Sequence, residues 1–240
     1  MPIQAVETKR LYRQIADQLR NLIRASEFEV GTRLPAEREL ALQLGVSRPS
    51  VREALIALEV EGLVEIRPGS GIHVIARESP ASAPRIEPTA FGPFEIIRAR
   101  QLIECQLAAI AAQRATPEHI TGLSDALAQM EDDLGAGLMP IRGDRLFHVR
   151  VAQIAQNGPL LRTVGELFDE RNTPLFEQMG HHFENEQSWR KAIAEHRAVM
   201  VAIAAGKPDA ARAAMHIHLE RSQERFADAW PQPVVVEAHC

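Results

Sequence analysis

The chain has 240 residues, 45% of them apolar and 25% charged, which is enough for two ordinary domains with real cores. No run approaches the roughly 20 apolar residues that a membrane-spanning helix needs, and a net charge of −5 excludes a uniformly basic coat for nucleic acid. Two cysteines, Cys105 and Cys240, exclude a disulfide framework, and the first residues lack the apolar core of a signal peptide, so a cytoplasmic protein is expected.

Charge is unevenly placed. Residues 1–77 carry 11 Lys/Arg against 10 Asp/Glu, a net of +1, and residues 78–240 carry 16 against 22, a net of −6. Leu11, Ile15, Leu19, Leu22 and Ile23 share a face, which predicts a helix from about residue 8 to 26. Gly31 breaks the chain, and a short helix follows from Glu37 to Leu44, stopped by Gly45. Ser47 stands where a cap belongs, with Pro49 in the first turn of a helix that ends near Gly62. Two strand-like runs, Leu63–Arg67 and Gly71–Ile75, flank Pro68-Gly69-Ser70 and predict a hairpin. Helix, helix, turn, helix, hairpin is the order of a winged helix-turn-helix, taken here as residues 1–77.

Residues 78–93 are rich in Pro, Ser and Ala without an apolar period and read as a linker. Beyond it only helical patterns occur: approximately 94–116, 117–134, 140–156, 159–179, 185–205 and 208–229. The expected fold class is mainly α: a winged helix-turn-helix, an all-helical bundle over 94–230, and a tail at 231–240.

In a winged helix-turn-helix the first turn of the second helix meets base edges in the major groove. Arg48 and Arg52, four apart on one face, are the base-reading candidates, because arginine pairs with guanine through two hydrogen bonds. Ser47 and Ser50 are candidates for phosphate contacts. The wing turn, with Arg67 and Gly69, would reach the neighbouring groove or backbone. The competing reading of these arginines is a solvated side chain paired with Glu37, Glu39 or Glu53.

The succession Pro35-Ala-Glu-Arg-Glu-Leu40, Val46-Ser-Arg48, Val51-Arg-Glu-Ala-Leu55 and Gly69-Ser-Gly71 resembles the DNA-binding domain of the GntR superfamily of bacterial regulators. That resemblance adds Arg38 as a base-approaching residue and implies double-stranded operator DNA as partner, bound by a homodimer. Some members carry a histidine before the wing glycine; here Pro68 stands there, which favours Arg67 for the wing contact.

The C-terminal part resembles the ligand-binding domain of the FadR subfamily, on Arg100-Gln-Leu-Ile-Glu104, Asp144-Arg-Leu-Phe-His148, Glu195-His196 and Ala214-Met-His-Ile-His-Leu219. Many of its members hold a divalent metal with one Asp and three His, which implies Asp144, His148, His196 and His218 here. Asp144 and His148 are one helical turn apart, and His218 shares a stripe with Ala211, Met215 and Ser222, whereas His216 does not. Such a donor set suits Zn²⁺ first, then Ni²⁺, Mn²⁺ or Fe²⁺. His119, His181 and His182 read as surface residues. A carboxylate effector would occupy the ion's open positions. Arg100 is either its second anchor or a partner of Glu104 on the same helix.

A narrower resemblance, carried by Gly92-Pro-Phe-Glu-Ile-Ile-Arg-Ala-Arg-Gln-Leu-Ile-Glu104, is to the hexuronate-utilisation repressors, which implies glucuronate, galacturonate or a related sugar acid as effector. Two rivals remain at this point: a metal-dependent hydrolase, for which no general base is recognisable, and a DNA-binding protein whose bundle only dimerises.

Overall fold

In the computed structural model the described residues are 10–84, 86–87 and 90–228. The expected tail 231–240 with Cys240, the first residues of the opening helix and Ala229 of the last one lie outside them. The chain divides into two compact units, the first built on the described residues up to Pro93 together with Thr173–Gln178, the second on Phe94–Asn172 and Met179–Asp228.

In the first unit, α1 (Leu11–Arg24), α2 (Glu37–Leu44) and α3 (Arg48–Val60) precede the hairpin of β1 (Val64–Arg67) and β2 (Gly71–Val74). α1 buries Tyr12, Ile15, Ala16, Leu19 and Ile23. Leu11, expected inward, is half-exposed, and the adjacent Tyr12 goes in instead, donating its hydroxyl to the Ala90 carbonyl at 3.0 Å. Burial pushes the Tyr12 phenol up to about 12, so it remains a donor. α2 stops at Gly45, whose φ of +66° is the left-handed conformation that a glycine adopts without strain. Ser47 caps α3 by accepting the Ser50 N–H at 3.3 Å, with a proline in the first turn. α3 packs on α1, α2 and β1, and its residues from Val51 to Leu58 are all buried. The hairpin is antiparallel in the register Val64↔Val74 to Arg67↔Gly71, and a bridge from Arg33 to His73 adds a third short edge.

The linker folds onto this unit. Ile86 is buried, and a Cβ at Gly92 would sit 2.4 Å from the Glu53 carboxylate, so the chain passes directly over α3.

The rest of the described chain is helical: α4 (Pro93–Arg114), α5 (Pro117–Gly135), α6 (Ile141–Ile154), α7 (Gly158–Asp169), a 3-10 turn (Glu170–Asn172), α8 (Pro174–Phe183), α9 (Glu186–Ala204) and α10 (Pro208–Asp228), all of it in the second unit except Pro93 and the first half of α8. Where one helix was expected over 159–179, the chain makes two. Pro174 lacks an N–H to continue the ladder and disfavours a helical residue before it, so α7 tightens into the 3-10 turn and α8 starts afresh. Thr116 and Asn185 close capping boxes, the first with His119, whose Nδ1 accepts the Thr116 N–H at 3.1 Å. That is a helix-end role for a residue read only as surface.

α5 packs on α6 and α9, and α9 on α10, around a core that includes Leu107, Met130, Phe147, Val199 and Met215. Gly143 on α6 lies so close to α5 that an added Cβ would stand 2.6 Å from Met130 Cγ and 3.1 Å from the Ala126 carbonyl. Gly143→Ala is therefore expected to cost roughly 1–3 kcal/mol by overpacking, read as a lower urea midpoint. It should also displace the adjacent Asp144.

Candidate functional sites

At the reading head, the first turn of α3 and the wing hold the sequence-expected residues in different states. Arg38, Ser47, Arg67 and Gly69 are exposed and Ser50 is half-buried. The Arg48 side chain is 49% exposed and donates from Nε to Glu37 Oε1 at 2.7 Å. Arg67 pairs with Glu65 at 2.6 Å. Ser47 and Ser50 place their hydroxyls 2.9 Å apart.

Arg52 departs from the expectation of a second side chain projecting beside Arg48. It is 1% exposed and donates to Glu37 Oε2 at 2.8 Å from Nε and 2.6 Å from Nη2. One turn deeper along α3, it lies where α2 packs. A buried guanidinium needs a buried partner, and Glu37, itself 3% exposed, is that partner. One carboxylate thus holds two arginines, one sunk and one at the surface. Glu37 had been weighed only as a competitor for these arginines; its place in the Pro35–Leu40 run was the available signal.

Among the described residues of the second unit, seven buried side chains are charged or histidine: Arg100, Glu104, Asp144, His148, Glu195, His196 and His218. All belong to one network. Asp144 and His148 come from α6, His196 from α9 and His218 from α10, and their candidate ligand atoms all lie within 4.8 Å of one another. Asp144 Oδ1 is 2.9 Å from His196 Nε2 and 3.5 Å from His148 Nε2, and the two Nε2 atoms are 3.0 Å apart.

Each ring is turned by an acceptor on its other nitrogen. The Nδ1–H of His148 meets Glu104, that of His196 donates to the Ala192 carbonyl at 2.7 Å, and that of His218 donates to Glu195 at 3.1 Å. Glu195 is held in turn by Arg225 at 2.9 Å, and Glu104 by Arg100 at 2.7 Å. With the Nδ1 positions spent on acceptors, the Nε2 lone pairs converge on one point. Converged lone pairs beside a carboxylate offer a cation its ligands, and acceptors behind each ligating histidine are what metal sites use to fix the tautomer. The residues therefore fit a divalent ion.

The electrostatics agree. Burial penalises the Glu104 carboxylate, but Arg100 and His148 outweigh it and hold the group at about 2. Burial likewise opposes charge on Asp144, and the facing His148 and His196 rings together with the Arg171 guanidinium keep it well below the usual carboxylate range. Burial pulls His196 down, and it pulls His218 down further with help from His196 and His148. His148 alone is raised: burial opposes its charge, but Glu104 prevails. Without a metal the site draws a proton to His148, which a metal would displace.

Arg100 makes the ion pair with Glu104 that was one of its two expected roles. Its guanidinium also stacks 3.8 Å from the Phe168 ring centroid and brings Nη2 to 3.3 Å from His148 Nε2. Beside Asp144 stands a residue that sequence reasoning did not single out, Arg171, which donates to Asp144 Oδ2 and to Glu184 Oε1, each at 2.7 Å. It lies in the 3-10 turn at the unexpected helix break, and no spacing rule links it to the site. His216 is exposed, outside the cluster.

The family model for bacterial regulatory proteins of the gntR family matches residues 11–74, and that for the FCD domain matches residues 95–221. The chain belongs to the GntR family, in its FadR-like branch. It is similar to the Uxu operon transcriptional regulator of Escherichia coli K12, with 34% identity covering 93% of this chain and 90% of that one. It is also similar to the Exu regulon transcriptional regulator of the same organism, with 36% identity covering 92% and 86%. Among solved structures it shares its fold with E. coli McbR/YncC at a TM-score of 0.51 and 21% identity, over 91% of this chain and 97% of that one. This GntR-family protein is a DNA-binding transcription regulator and not an enzyme, which removes the hydrolase reading. No helix among its described residues is long and apolar enough to cross a membrane.

Proposed function

We propose that this GntR-family regulator is a homodimeric repressor of sugar-acid metabolism that leaves its operator when a hexuronate such as glucuronate or galacturonate binds in the FCD domain. The observation that carries the reading is the buried cluster of Asp144, His148, His196 and His218, with an acceptor behind every ring.

Asp144 and the three histidines would hold the divalent ion, Zn²⁺ before Ni²⁺, Mn²⁺ or Fe²⁺, which supplies open coordination positions for a carboxylate and its neighbouring hydroxyl. Arg100, lining the same pocket, adds positive charge beside the acid. At the other end of the chain Arg48 and Arg38 would read bases, Ser47, Ser50 and Gly69 would approach the backbone, and Arg67 would serve the wing. The burial of Arg52 makes it the strut that holds Glu37 rather than a reader. The kinship to the Uxu- and Exu-named regulators supports the hexuronate assignment. Switching from nearly full to nearly empty occupancy requires the effector to favour the released state by about 5.5 kcal/mol.

A thermal-shift screen of sugar acids and hydroxy acids, with and without chelator, tests this reading. A stabilising shift by glucuronate or galacturonate that chelator removes is expected. Silence of every acid would leave a regulator whose bundle only dimerises.

A further inference from the structure

The wing carries a third edge with a cation on it that the sequence motifs did not single out. Gly31 donates its N–H to the Val74 carbonyl at 2.8 Å, Val74 donates to the Thr32 carbonyl at 3.0 Å, and Leu34 to the Ile72 carbonyl at 2.8 Å. These bonds hold residues 31–34 along the edge of β2 that β1 leaves open, with Arg33 across from His73. Residues paired across a sheet share a face, and here Leu34 points into the core while Arg33 is exposed. Arg33, His73 and Glu65 therefore form one row on the outer face, and Gly71 and Arg67 form the next.

Arg33 reaches from its own row into the second. A Cβ added to Gly71 would stand 2.5 Å from Arg33 Nε and 2.9 Å from its Cζ, so the guanidinium lies across that glycine, at the foot of the wing turn. No acid holds it there. Arg13 and Arg20 are spent on Glu61, Arg24 on Glu78, and Arg48 and Arg52 on Glu37. The carboxylate within the two rows, Glu65, takes Arg67 through Nε at 2.9 Å and Nη2 at 2.6 Å, and His73 turns to Ser70. Arg33 has no carboxylate partner among the described residues. A guanidinium seated on fixed backbone without an anion is preorganised for one that a partner brings.

We propose that Arg33 binds a backbone phosphate of the operator, on the strand that separates the groove entered by α3 from the wing. The edge that carries Arg33 runs straight on through Pro35 into α2, so it joins the wing to the helix-turn-helix. A phosphate contact there fixes the docking of the wing and carries no base information. This role stands apart from the effector reading and needs only the DNA binding of the family.

Fluorescence anisotropy of the full-length protein tests it, on a duplex from its own gene's upstream region and on a scrambled duplex, between about 50 and 200 mM salt. Arg33→Ala is expected to weaken both duplexes alike, by about tenfold, and to leave the preference between them within about twofold. The slope of log affinity against log salt should flatten by about 0.9 for each phosphate lost, hence by about 2 for the proposed dimer. Arg33→Lys keeps the charge and should restore the slope. Arg24→Ala removes an equal charge from the end of α1 and should leave slope and affinity as in wild type. An Arg33→Ala protein with wild-type affinity and slope would overturn the proposal. So would a loss confined to the operator duplex, which makes Arg33 a base reader, or an equal flattening in Arg24→Ala, which makes the effect one of net charge.

Discussion

Arg48→Ala is expected to abolish the preference for operator over bulk DNA while the protein unfolds at nearly the wild-type temperature. Arg48 sits in the capped first turn of α3 with half its side chain in solvent, so its removal leaves no buried hole. A bidentate arginine–guanine pair contributes about 1–3 kcal/mol of discrimination, and the proposed dimer would make it twice, so the loss should be at least about 30-fold. Non-specific binding, which rests on phosphates, should change far less.

Arg52→Ala should behave differently. It empties a fully buried site and strips Glu37 of the partner that matches its burial, so both stability and binding should fall, the former by roughly 3–5 kcal/mol. Fluorescence anisotropy on specific and scrambled duplexes, paired with denaturant unfolding, separates the two. If Arg52→Ala kept full stability and lost only sequence preference, the strut assignment would be wrong and both arginines would be readers.

The second large effect concerns the proposed metal. His196 is fully buried, its Nδ1–H is fixed by the Ala192 carbonyl, and its Nε2 is within 3.0 Å of both Asp144 and His148. A ligand present at about a thousand times its dissociation constant stabilises the state that binds it by about 4 kcal/mol. For a chain of this size that is worth roughly 8–16 °C in melting temperature. Chelator should therefore lower the melting temperature of wild type by that order, and His196→Ala should melt low with or without chelator. The response should weaken in acid, because the Nε2 atoms must be free of protons to bind metal, while Asp144 and Glu104 stay charged. A chelator-sensitive His196→Ala would place the ion elsewhere.

Local chemistry made much of the fold legible. Gly45 and Ser47 with Pro49 two residues on announce helix ends through backbone needs legible in the chain, whereas the caps at Thr116 and Asn185 emerge only from the structure. The break between α7 and α8 was missed because an apolar period runs across it, although Pro174 stood there as the warning. Tyr12 replaced Leu11 in the core because its hydroxyl finds a carbonyl 78 residues away, a contact no local pattern contains.

At the sites, the resemblance to the FadR subfamily named the groups that meet, Asp144, His148, His196 and His218; spacing by itself supported only Asp144 with His148 one turn on. What spacing could not supply was the supporting layer. Glu104, Glu195 and Ala192 turn the rings, and Arg171 caps the aspartate, through contacts made only after packing. Arg52 illustrates the same limit: four residues put it on the Arg48 face of an isolated helix, and the neighbouring α2 with Glu37 decides that it faces inward.

The most direct test of the account is a competition binding measurement. The metal-loaded full-length protein is held on a duplex from its own gene's upstream region in excess bulk DNA and titrated with galacturonate. The account predicts a complex that survives the competitor and dissociates as the sugar acid is added. A protein with no preference for that duplex, or a complex that no sugar acid alters, would contradict it.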